Sequence, residues 1–340
     1  MSRVLVVGAG ALGGLLGALL HEAKHDVVLL SRSATPGIRL EGDAYGPARD
    51  VAVRIETATP AGWSPELVVL AVKTQDVGSA LAQHAKTFGA APVVALQNGL
   101  AQDDLVARAC GSRRAVAAIA AVDAQHLKPG VIDCARRGSL VLGAARPDAV
   151  GSATFAARIL ESAIEIHRTG DAWGARWTKL LVNLGNVVPA ITGLSFQETS
   201  RHPLLARAHV RLLKEGLEVA NAEGAKLQPL PWTSPLLLKL SGMAPEKLAA
   251  RIYAKRVAKV LGETPGYGST WQSRERGRSI ETEWLNGEIV RRGRARELPT
   301  PTNDAALRLA NEGARLAADE AGAALLGAIT PRSTPSREKL

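Results

Sequence analysis

Short apolar segments alternate with helical patterns over the first half of the chain. Aliphatic and β-branched runs predict buried strands at residues 4–7, 26–30, 67–72 and 92–96. Ala- and Leu-rich stretches between them predict helices, the main ones at 11–20 and 76–88. Strands that alternate with helices of this length indicate βαβ units, and they predict an α/β fold with a Rossmann-type, doubly wound sheet.

Two glycine-containing segments interrupt this alternation with β-prone residues. Residues 42–57 combine turn residues with β-branched alternation and predict a hairpin excursion from the sheet. Residues 130–143 predict a second hairpin, with Arg137 and Gly138 at its turn. Both segments belong to the first half of the chain, and we expect them to add antiparallel strands to it.

The pattern changes to long helices after about residue 165. Asp171 is a candidate N-cap for a helix that runs past Asn186. The segment 228–235 holds three prolines and is predicted to be a connector or a lid. Further helices are predicted at 203–224, 245–261, 268–294 and 303–325.

The chain has 340 residues, a length that suits about two domains. We therefore predict a Rossmann-type domain over residues 1–168, an all-α domain over 169–330 and a polar tail over 331–340. With 46% hydrophobic and 22% charged residues, the composition is typical of a globular protein. It excludes a collagen-like, disordered or disulfide-stapled chain.

The cysteine count and the hydropathy pattern indicate the cellular compartment and whether the chain crosses a membrane. Cys110 and Cys134 are too few for a disulfide framework or a zinc site, so we expect no metal and a reducing compartment. The apolar runs are broken by lysine or glycine well before the ~20 residues that a membrane span needs. The first residues lack the long apolar core of a signal peptide. We expect a cytoplasmic protein that makes no membrane contact.

The net charge is +10, from 42 Lys+Arg against 32 Asp+Glu. Part of the excess is local, because seven arginines and four glutamates lie between Arg274 and Arg296. A solvated helix face is one interpretation, and a funnel for an anionic cofactor and substrate is another. Nucleic-acid binding ranks below both, because no aromatic residues are interleaved with the arginines in a recognisable binding pattern.

A glycine-rich turn follows the first predicted strand and opens a helix. It is a G-x-G-x-x-G sequence made of Gly8, Gly10 and Gly13, with Ala11 and Leu12 between the last two. The first glycine allows a tight turn, the second lets the backbone approach a pyrophosphate, and the third permits close helix–strand packing. The helix N-terminus offers free N–H groups to the phosphates. A close-packed turn without a ligand is the alternative.

The end of the second strand bears on which nicotinamide cofactor is bound. An NAD site places Asp or Glu there to hold the ribose hydroxyls. This chain has Ser31, Arg32 and Ser33 instead. An arginine suits a 2′-phosphate, which a carboxylate would repel. The sequence therefore favours NADP(H), with a plain surface role for Arg32 as the alternative.

Further polar residues follow two other predicted strands or lie on the helices of the second half. Lys73 and Asn98 each come directly after a strand, where ligands bind in such sheets, although both also suit ordinary strand ends and turns. Lys179 and Asn183 lie four residues apart on a mostly apolar helix, so they share one face. On spacing alone, Lys179 is equally well explained as a snorkelling lysine.

Taken together, these segments resemble the ketopantoate reductase (2-dehydropantoate 2-reductase) family over nearly the whole chain. The individual motifs are of moderate specificity, but they occur in the family's order. The segments that carry the resemblance are the glycine loop, Val72-Lys73-Thr74, Gln97-Asn98-Gly99, Trp177 with Lys179 and Asn183, Ser269 with Gln272, and Glu281 with Asn286-Gly287.

The resemblance implies roles for individual residues. Lys179 matches the family's catalytic lysine, which donates a proton as hydride reaches the keto carbon. Glu281 matches the active-site carboxylate, expected to bind the substrate hydroxyl and orient Lys179. Asn98 matches an asparagine near the nicotinamide. Asn183 and Ser269 match residues that hold the hydroxyl and carboxylate of the substrate.

The same resemblance implies that Arg32 and Lys73 contact the cofactor, Arg32 at the 2′-phosphate. The chain also departs from the family's pattern. Ser273 stands where well-characterised members carry Asp, and the loop 189–200 lacks an asparagine that often helps to bind the substrate. The proline-rich segment also brings Trp232 towards the expected cleft. These departures bear on the substrate, not on the hydride and proton chemistry.

The leading functional hypothesis is therefore NADPH-dependent reduction of a small 2-oxo acid, with ketopantoate as the first candidate in pantothenate and coenzyme A synthesis. A related enzyme acting on another 2-oxo acid, or an opine-type dehydrogenase, is the alternative. A non-catalytic NADPH-binding sensor is a hypothesis of another class; it predicts loss of the lysine or the carboxylate, and both Lys179 and Glu281 are present. A homodimer through the C-terminal helices stays open, because no motif fixes the oligomeric state.

Overall fold

The computed structural model describes residues 1–32, 35–262 and 265–327. Ser33 and the predicted polar tail at 331–340 therefore lie outside the described residues. The chain forms two compact units. The first comprises Met1–Lys179 together with Leu227–Trp232, and the second comprises Leu180–Lys226 and the chain from Thr233 onward.

The first unit is built on one mixed sheet. In chain order its described strands are β1 (Arg3–Val7), β2 (Asp26–Leu30), β3 (Ile38–Glu41), β4 (Arg49–Val51), β5 (Arg54–Glu56), β6 (Leu67–Leu70), β7 (Val93–Ala95), β8 (Ala115–Lys128), β9 (Val131–Ala144) and β10 (Glu165–Arg168). The order across the sheet is β4-β3-β9-β8-β7-β6-β1-β2-β5, and β10 pairs with β9. The pairs between β5 and β8 along this order are parallel, and β8 and β9 are antiparallel.

Helices cover both faces of this sheet. They are α1 (Ala11–Glu22), α2 (Val77–His84), α3 (Gln102–Cys110), α4 (Val150–Leu160) and the first part of α5 (Ala172–Asn183). Within β1, Val4 and Val6 pack into one core with α1 and α4, whereas Leu5 and Val7 pack into another with α2 and α3. Because the strand is buried on both faces, its sequence is a continuous apolar run. The predicted Rossmann-type sheet is confirmed.

The predicted hairpin over residues 130–143 is wrong. Its turn lies earlier, at Gly130 with φ +75°, and Gly138 is inside β9. A Cβ on Gly138 would stand 2.6 Å from the carbonyl oxygen of Ala121 on β8, where the ladder changes register. The glycine therefore serves the close approach of two strands at a bulge. The segment 42–57 does not form its own hairpin either, because β4 pairs with β3 and β5 with β2.

The second unit is helical in its described residues. It contains α6 (Val187–Thr192), α7 (Phe196–Arg201), α8 (Pro203–Ala222), α9 (Pro235–Met243), α10 (Glu246–Leu261), α11 (Ser269–Glu275), α12 (Thr282–Ala295), α13 (Pro301–Asn311) and α14 (Ala318–Gly327). The 20-residue helix α8 is central and packs against α7, α9, α10, α12, α13 and α14. The all-α second region is thus confirmed.

Two predicted helices in this unit are each divided in the structure. The stretch 268–294 breaks after α11, where Gly277 has φ +59° and Arg278 N–H donates to the carbonyl of Ser273. The stretch 303–325 breaks at Gly313, with φ +71°. A glycine in this conformation ends a helix readily, so the break has a local cause.

The units divide between Lys179 and Leu180, inside α5. The sequence places the change from strands to helices at 168/169, and Asp171 is indeed the N-cap, since its Oδ1 accepts from Gly174 N–H at 2.9 Å. The first turns of α5 nevertheless belong with the sheet, because Arg176 on this helix binds residues of the first unit. The boundary at 168/169 itself stays a prediction.

Candidate active site

The glycine loop connects β1 to α1 at the carboxyl edge of the parallel strands. Gly8 has φ +109°, and a Cβ there would meet the backbone of Val72 at 2.9 Å. A Cβ on Gly13 would lie 1.9 Å from the carbonyl oxygen of Gly8. No larger residue fits either position without moving the backbone, so the spacing of the two glycines follows from the turn itself.

The remaining glycine of the loop has a different role. A Cβ on Gly10 would have nothing within 4 Å, so its backbone is open to a ligand. Gly10 is also the N-cap of α1 and offers no side chain to cap the helix, and the first turn holds no acidic residue. Free N–H groups and the positive end of the helix dipole therefore face open space, an arrangement that fits the pyrophosphate of a dinucleotide.

Arg32 and Lys73 flank this loop on the neighbouring strands. Arg32 is exposed and lies two residues past the end of β2, whose Leu30 carbonyl accepts from Gly8 N–H at 2.9 Å. Lys73 is half-buried and follows β6, the other neighbour of β1. The sheet order thus brings both predicted cofactor contacts to the edge that carries the glycine loop.

Asn98 lies in a tightly held turn after β7. Gly99 has φ +90°, and the side-chain amide of Gln102 donates to the carbonyls of Gln97, Asn98 and Gly99 at 2.8, 2.9 and 2.8 Å. Thr74 Oγ1 donates to the Asn98 carbonyl as well, at 3.2 Å. The backbone on both sides of the Asn98 side chain is therefore fixed.

A buried ion pair supports the same turn from α5. Arg176 binds both carboxylate oxygens of Asp103, with Nε–Oδ2 at 2.5 Å and Nη2–Oδ1 at 2.6 Å. Its remaining donors reach the carbonyls of Gln97 at 2.8 Å and Ala95 at 3.0 Å. Arg176 is 2% exposed and Asp103 5% exposed. Because the bidentate pair is combined with two carbonyl bonds, all three guanidinium nitrogens have hydrogen-bond partners despite their burial.

Lys179 lies one turn after Arg176 on α5 and faces the same place. It lines a small pocket together with Asn98 and Arg176, and Ile119 and Ala120 of β8 form the apolar side. Loss of water around its ammonium lowers the pKa of Lys179 to about 8. The structure thus brings Lys179 and Asn98 into one pocket, as the sequence predicts. The pKa of this lysine is closer to neutral pH than that of an exposed lysine.

The other predicted substrate residues belong to the second unit. Asn183 is buried at the last position of α5, Ser269 is exposed at the first position of α11, and Glu281 is the half-buried N-cap of α12. Glu283 is 52% exposed in its side chain and pairs with Arg291, so Glu281 is the more buried of the two carboxylates.

Sequence reasoning missed Arg176, Asp103 and Gln102 as parts of the site. Arg176 lies three residues before Lys179, so helical spacing places both on one face, and this was the available signal. Gln102 and Asp103 start the helix that follows the Asn98 turn. The pairing of Asp103 with Arg176 could not be predicted from the sequence, because the two residues are 73 positions apart.

The arginine-rich stretch of the second unit is largely paired within that unit. Arg291 and Arg292 bind Glu288, and Arg292 and Arg296 bind Glu223. Arg274 donates instead to main-chain carbonyls, including that of Ala190 at 2.8 Å. This pattern supports the interpretation of a solvated, ion-paired helix face.

In the part of the chain that the structure describes, no helix combines the length and apolarity needed to cross a membrane. The same part contains no group of three or more His, Cys, Asp or Glu residues arranged to hold a metal ion.

The fold and sequence of this chain are similar to those of known proteins. The fold and the glycine loop define the class, a Rossmann-type protein with the loop of a dinucleotide-binding site. The family model "Ketopantoate reductase PanE/ApbA" matches residues 4–147, and the model of its C-terminal domain matches residues 171–314. These two models together cover well over half of the chain.

Individual relatives agree with this match. The chain is 28% identical over 314 residues to a 2-dehydropantoate 2-reductase of Mycobacterium tuberculosis, and 26% identical over 305 residues to that of Pyrococcus abyssi. Each alignment covers 88% of this chain and 94% of the relative. A ketopantoate reductase structure from Ralstonia eutropha superimposes with a TM-score of 0.76 at 27% identity, over 92% of this chain and 98% of that one. The chain belongs to the ketopantoate reductase family, whose members are pyridine-nucleotide-dependent oxidoreductases.

Proposed function

We propose that this protein uses NADPH to reduce a small 2-oxo acid to the 2-hydroxy acid, and that its substrate is 2-dehydropantoate, giving pantoate for pantothenate and coenzyme A synthesis. The observation that supports the proposal best is the pocket shared by Lys179 and Asn98. It places a lysine whose pKa is about 8 beside a fixed amide-bearing turn at the carboxyl edge of the sheet. Family membership supports the reaction type.

Lys179 acts as the general acid in this proposal. A bound NADPH supplies the hydride for the keto carbon, and Lys179 Nζ donates a proton to the oxygen on which negative charge develops. With a pKa of about 8, most Lys179 side chains carry the proton at pH 7, and they release it more readily than an ordinary lysine with its pKa of 10.5. Turnover in the reductive direction is expected to fall as the pH rises through about 8.

The turn that carries Asn98 orients the reacting groups. Its side chain is proposed to hydrogen-bond the nicotinamide ribose or the keto oxygen, and Arg176 with Gln102 holds the turn that positions it. Glu281 is proposed to bind the hydroxyl of the substrate, and Asn183 and Ser269 its hydroxyl and carboxylate. A preformed set of donors costs little reorganisation when charge develops.

The residues at the glycine loop support NADP(H) as the cofactor. The open backbone of Gly10 and the uncapped start of α1 fit the pyrophosphate. Arg32 is proposed to bind the 2′-phosphate, for which an exposed guanidinium is well suited. Lys73 is proposed to add a second positive charge on the other side of the loop.

The loss of nicotinamide absorbance on mixing protein, NADPH and 2-oxo acids tests the reaction. Fast oxidation with 2-dehydropantoate supports the proposed substrate. In the same assay, Lys179→Ala is expected to lower kcat by about 10²-fold or more while leaving NADPH affinity unchanged. Lys239→Ala removes an exposed lysine of α9 and serves as the matched control. An unchanged kcat in Lys179→Ala contradicts the proposed mechanism.

Arg32→Asp tests the choice of cofactor. It is expected to weaken NADPH binding by at least about tenfold while changing NADH binding little, because only NADPH carries the 2′-phosphate. Arg158→Asp, which makes the same charge change on the exposed face of α4, controls for long-range charge effects. Equal losses for the two cofactors in Arg32→Asp would rule out the 2′-phosphate contact.

A further inference from the structure

Residues 227–232, which include most of the proline-rich segment 228–235, belong to the first unit, although the chain on either side of them belongs to the second. Gln228 N–H donates to the Gly174 carbonyl at 3.4 Å, and the Gln228 carbonyl accepts from Thr178 Oγ1 at 2.8 Å. Its side-chain amide reaches Asp171 at 3.3 Å. Three bonds therefore fix one end of this segment to α5, the helix that carries Lys179.

An apolar anchor fixes the middle of the segment. Leu230 is 5% exposed and lies in a small cluster with Ile119 of β8, Val141 of β9 and Ala175 of α5. Trp232 packs on the outside of this cluster and is only partly buried. Because Leu230 provides the buried contact, the indole of Trp232 is held in place without being enclosed in the core.

The indole ring lies beside the proposed general acid. Lys179 Nζ is 5.2 Å from the centroid of the Trp232 ring, within the range of a cation–π contact. Ile119, which packs in the cluster behind Trp232, also lines the pocket of Lys179 and Asn98. The surroundings of the ammonium are thus divided into two parts. Asn98 and Arg176 provide polar groups, and an apolar wall is formed by Ile119 and Ala120 of the pocket together with the Trp232 ring beside the ammonium.

If the protein reduces a 2-oxo acid, as proposed above, the polar and apolar surroundings of Lys179 determine how that acid is oriented. The keto and carboxylate oxygens of a 2-oxo acid need polar partners, so they belong with Lys179 and Asn98. The carbon next to the keto group must then lie against the apolar wall. A bare methyl group fills little of such a wall, whereas a branched or aromatic substituent displaces water from it.

We propose that Trp232 is a specificity-determining residue, whose ring makes this enzyme prefer 2-oxo acids that are branched or aromatic at the carbon next to the keto group. Trp232 acts here through contact with the substrate side chain. Residues of the segment before it, Gln228 and Leu230, position the ring.

Steady-state kinetics with matched substrates tests this role. Trimethylpyruvate and pyruvate differ only in three methyl groups at the carbon in question. In Trp232→Ala, kcat/KM is expected to fall by about tenfold or more for trimethylpyruvate and by less than about twofold for pyruvate. Trp232→Phe is expected to restore most of the preference because it restores an aromatic wall. Equal losses for both substrates, or no loss for either, would overturn the proposal.

A control variant separates the ring from general effects of removing an indole. Trp63→Ala removes an indole ring that is in cation–π contact with Arg54. The indole N–H of Trp63 donates to Asp26 at the amino end of β2. Trp63→Ala is expected to leave the substrate ratio unchanged. The melting temperature of each variant shows whether the protein is still folded during the assay.

Binding to the intact chain separates this proposal from the proposed function. Calorimetry with NADP⁺-saturated protein measures the Kd of phenylglyoxylate and of pyruvate without turnover. Tighter binding of phenylglyoxylate by the wild type, lost by about tenfold in Trp232→Ala, supports the role of Trp232 even if no 2-oxo acid is reduced. That pattern would reject the proposed reaction alone. Equal affinity of the wild type for both acids would reject the role of Trp232 even if 2-dehydropantoate is reduced.

Discussion

Both units contain a buried hydrogen-bond network around a charged side chain, Arg176 in the first and Glu215 in the second, and the two networks have different neighbours. In the first unit, Arg176 pairs with Asp103 and passes its other donors to the carbonyls of Ala95 and Gln97. In the second, Glu215 on α8 accepts from the N–H groups of Thr302 and Asn303 at 2.8 and 2.9 Å, at the start of α13.

The two networks also differ in what lies beyond them. Arg176 borders the pocket of Lys179 and Asn98, whereas Glu215 continues through Asn303 to Asn286, whose amide reaches the Leu184 carbonyl at 3.1 Å. The carboxylate of Glu215 takes the place of a helix cap, and Asn286 ties three helical segments together. Burial of a charge therefore does not by itself indicate an active site. Of the two networks, that of Arg176 borders the pocket of the proposed active site.

Arg176→Met should have the largest effect on the free energy of unfolding. It leaves the buried Asp103 carboxylate without its partner, and we expect a loss of about 3–5 kcal/mol in the free energy of unfolding. Urea denaturation measures this loss. The double variant Arg176→Met/Asp103→Leu removes both charges and should recover most of the stability. Its kcat should stay low, because the turn of Asn98 still lacks its support. Full recovery of kcat would mean that the ion pair does not position the site.

Glu215→Gln should have a smaller effect, and on stability alone. A glutamine can still accept one of the two N–H bonds, but its amide group faces the other donor, so we expect a loss of about 1–3 kcal/mol. The same denaturation experiment measures it, and the kcat of the folded protein should be unchanged. A reduced kcat at full folding would extend the site to this network and remove the contrast between the units.

Lys179→Met should have the smallest effect on stability, and in the opposite direction at neutral pH. The pKa of Lys179 is lowered from 10.5 to about 8, so between these values the unfolded chain binds more protons than the folded one. The contribution of Lys179 to stability therefore rises as the pH increases from about 8 to 10.5. Below pH 8 the variant should be more stable than the wild type, because it avoids the cost of holding a charged ammonium out of water. Melting temperatures across this range should show the two proteins converging at high pH.

A structural element could be predicted from the sequence where the residues that determine it are close together in the chain. The glycine loop and strands β1, β2, β6 and β7 follow from short stretches of sequence, since a buried parallel strand is an apolar run and Gly8 and Gly13 are required by the turn. The hairpin of β8 and β9 was misplaced because two glycines compete as its turn. Gly130 needs its positive φ, whereas Gly138 is required by the neighbouring strand.

The candidate site shows the same limit. Lys179 and Asn98 could be named from the resemblance, and the pocket brings them together. The contacts that hold them in place arise from tertiary packing. Asp103 meets Arg176 from 73 positions away, and Trp232 reaches Lys179 from a segment that follows three further α-helices, α6, α7 and α8. Neither pairing has a pattern in the linear sequence.

The return of residues 227–232 to the first unit limits how this protein could be recombined with its relatives. A single crossover near residue 179 would cut α5 and separate the nucleotide-binding region from the indole that lies beside Lys179. On the role proposed for Trp232, chimaeras would keep a parent's substrate preference only if two segments, Met1–Lys179 and Leu227–Trp232, came from that same parent. In evolution, too, a change of substrate could begin in the second of these segments and leave the glycine loop untouched.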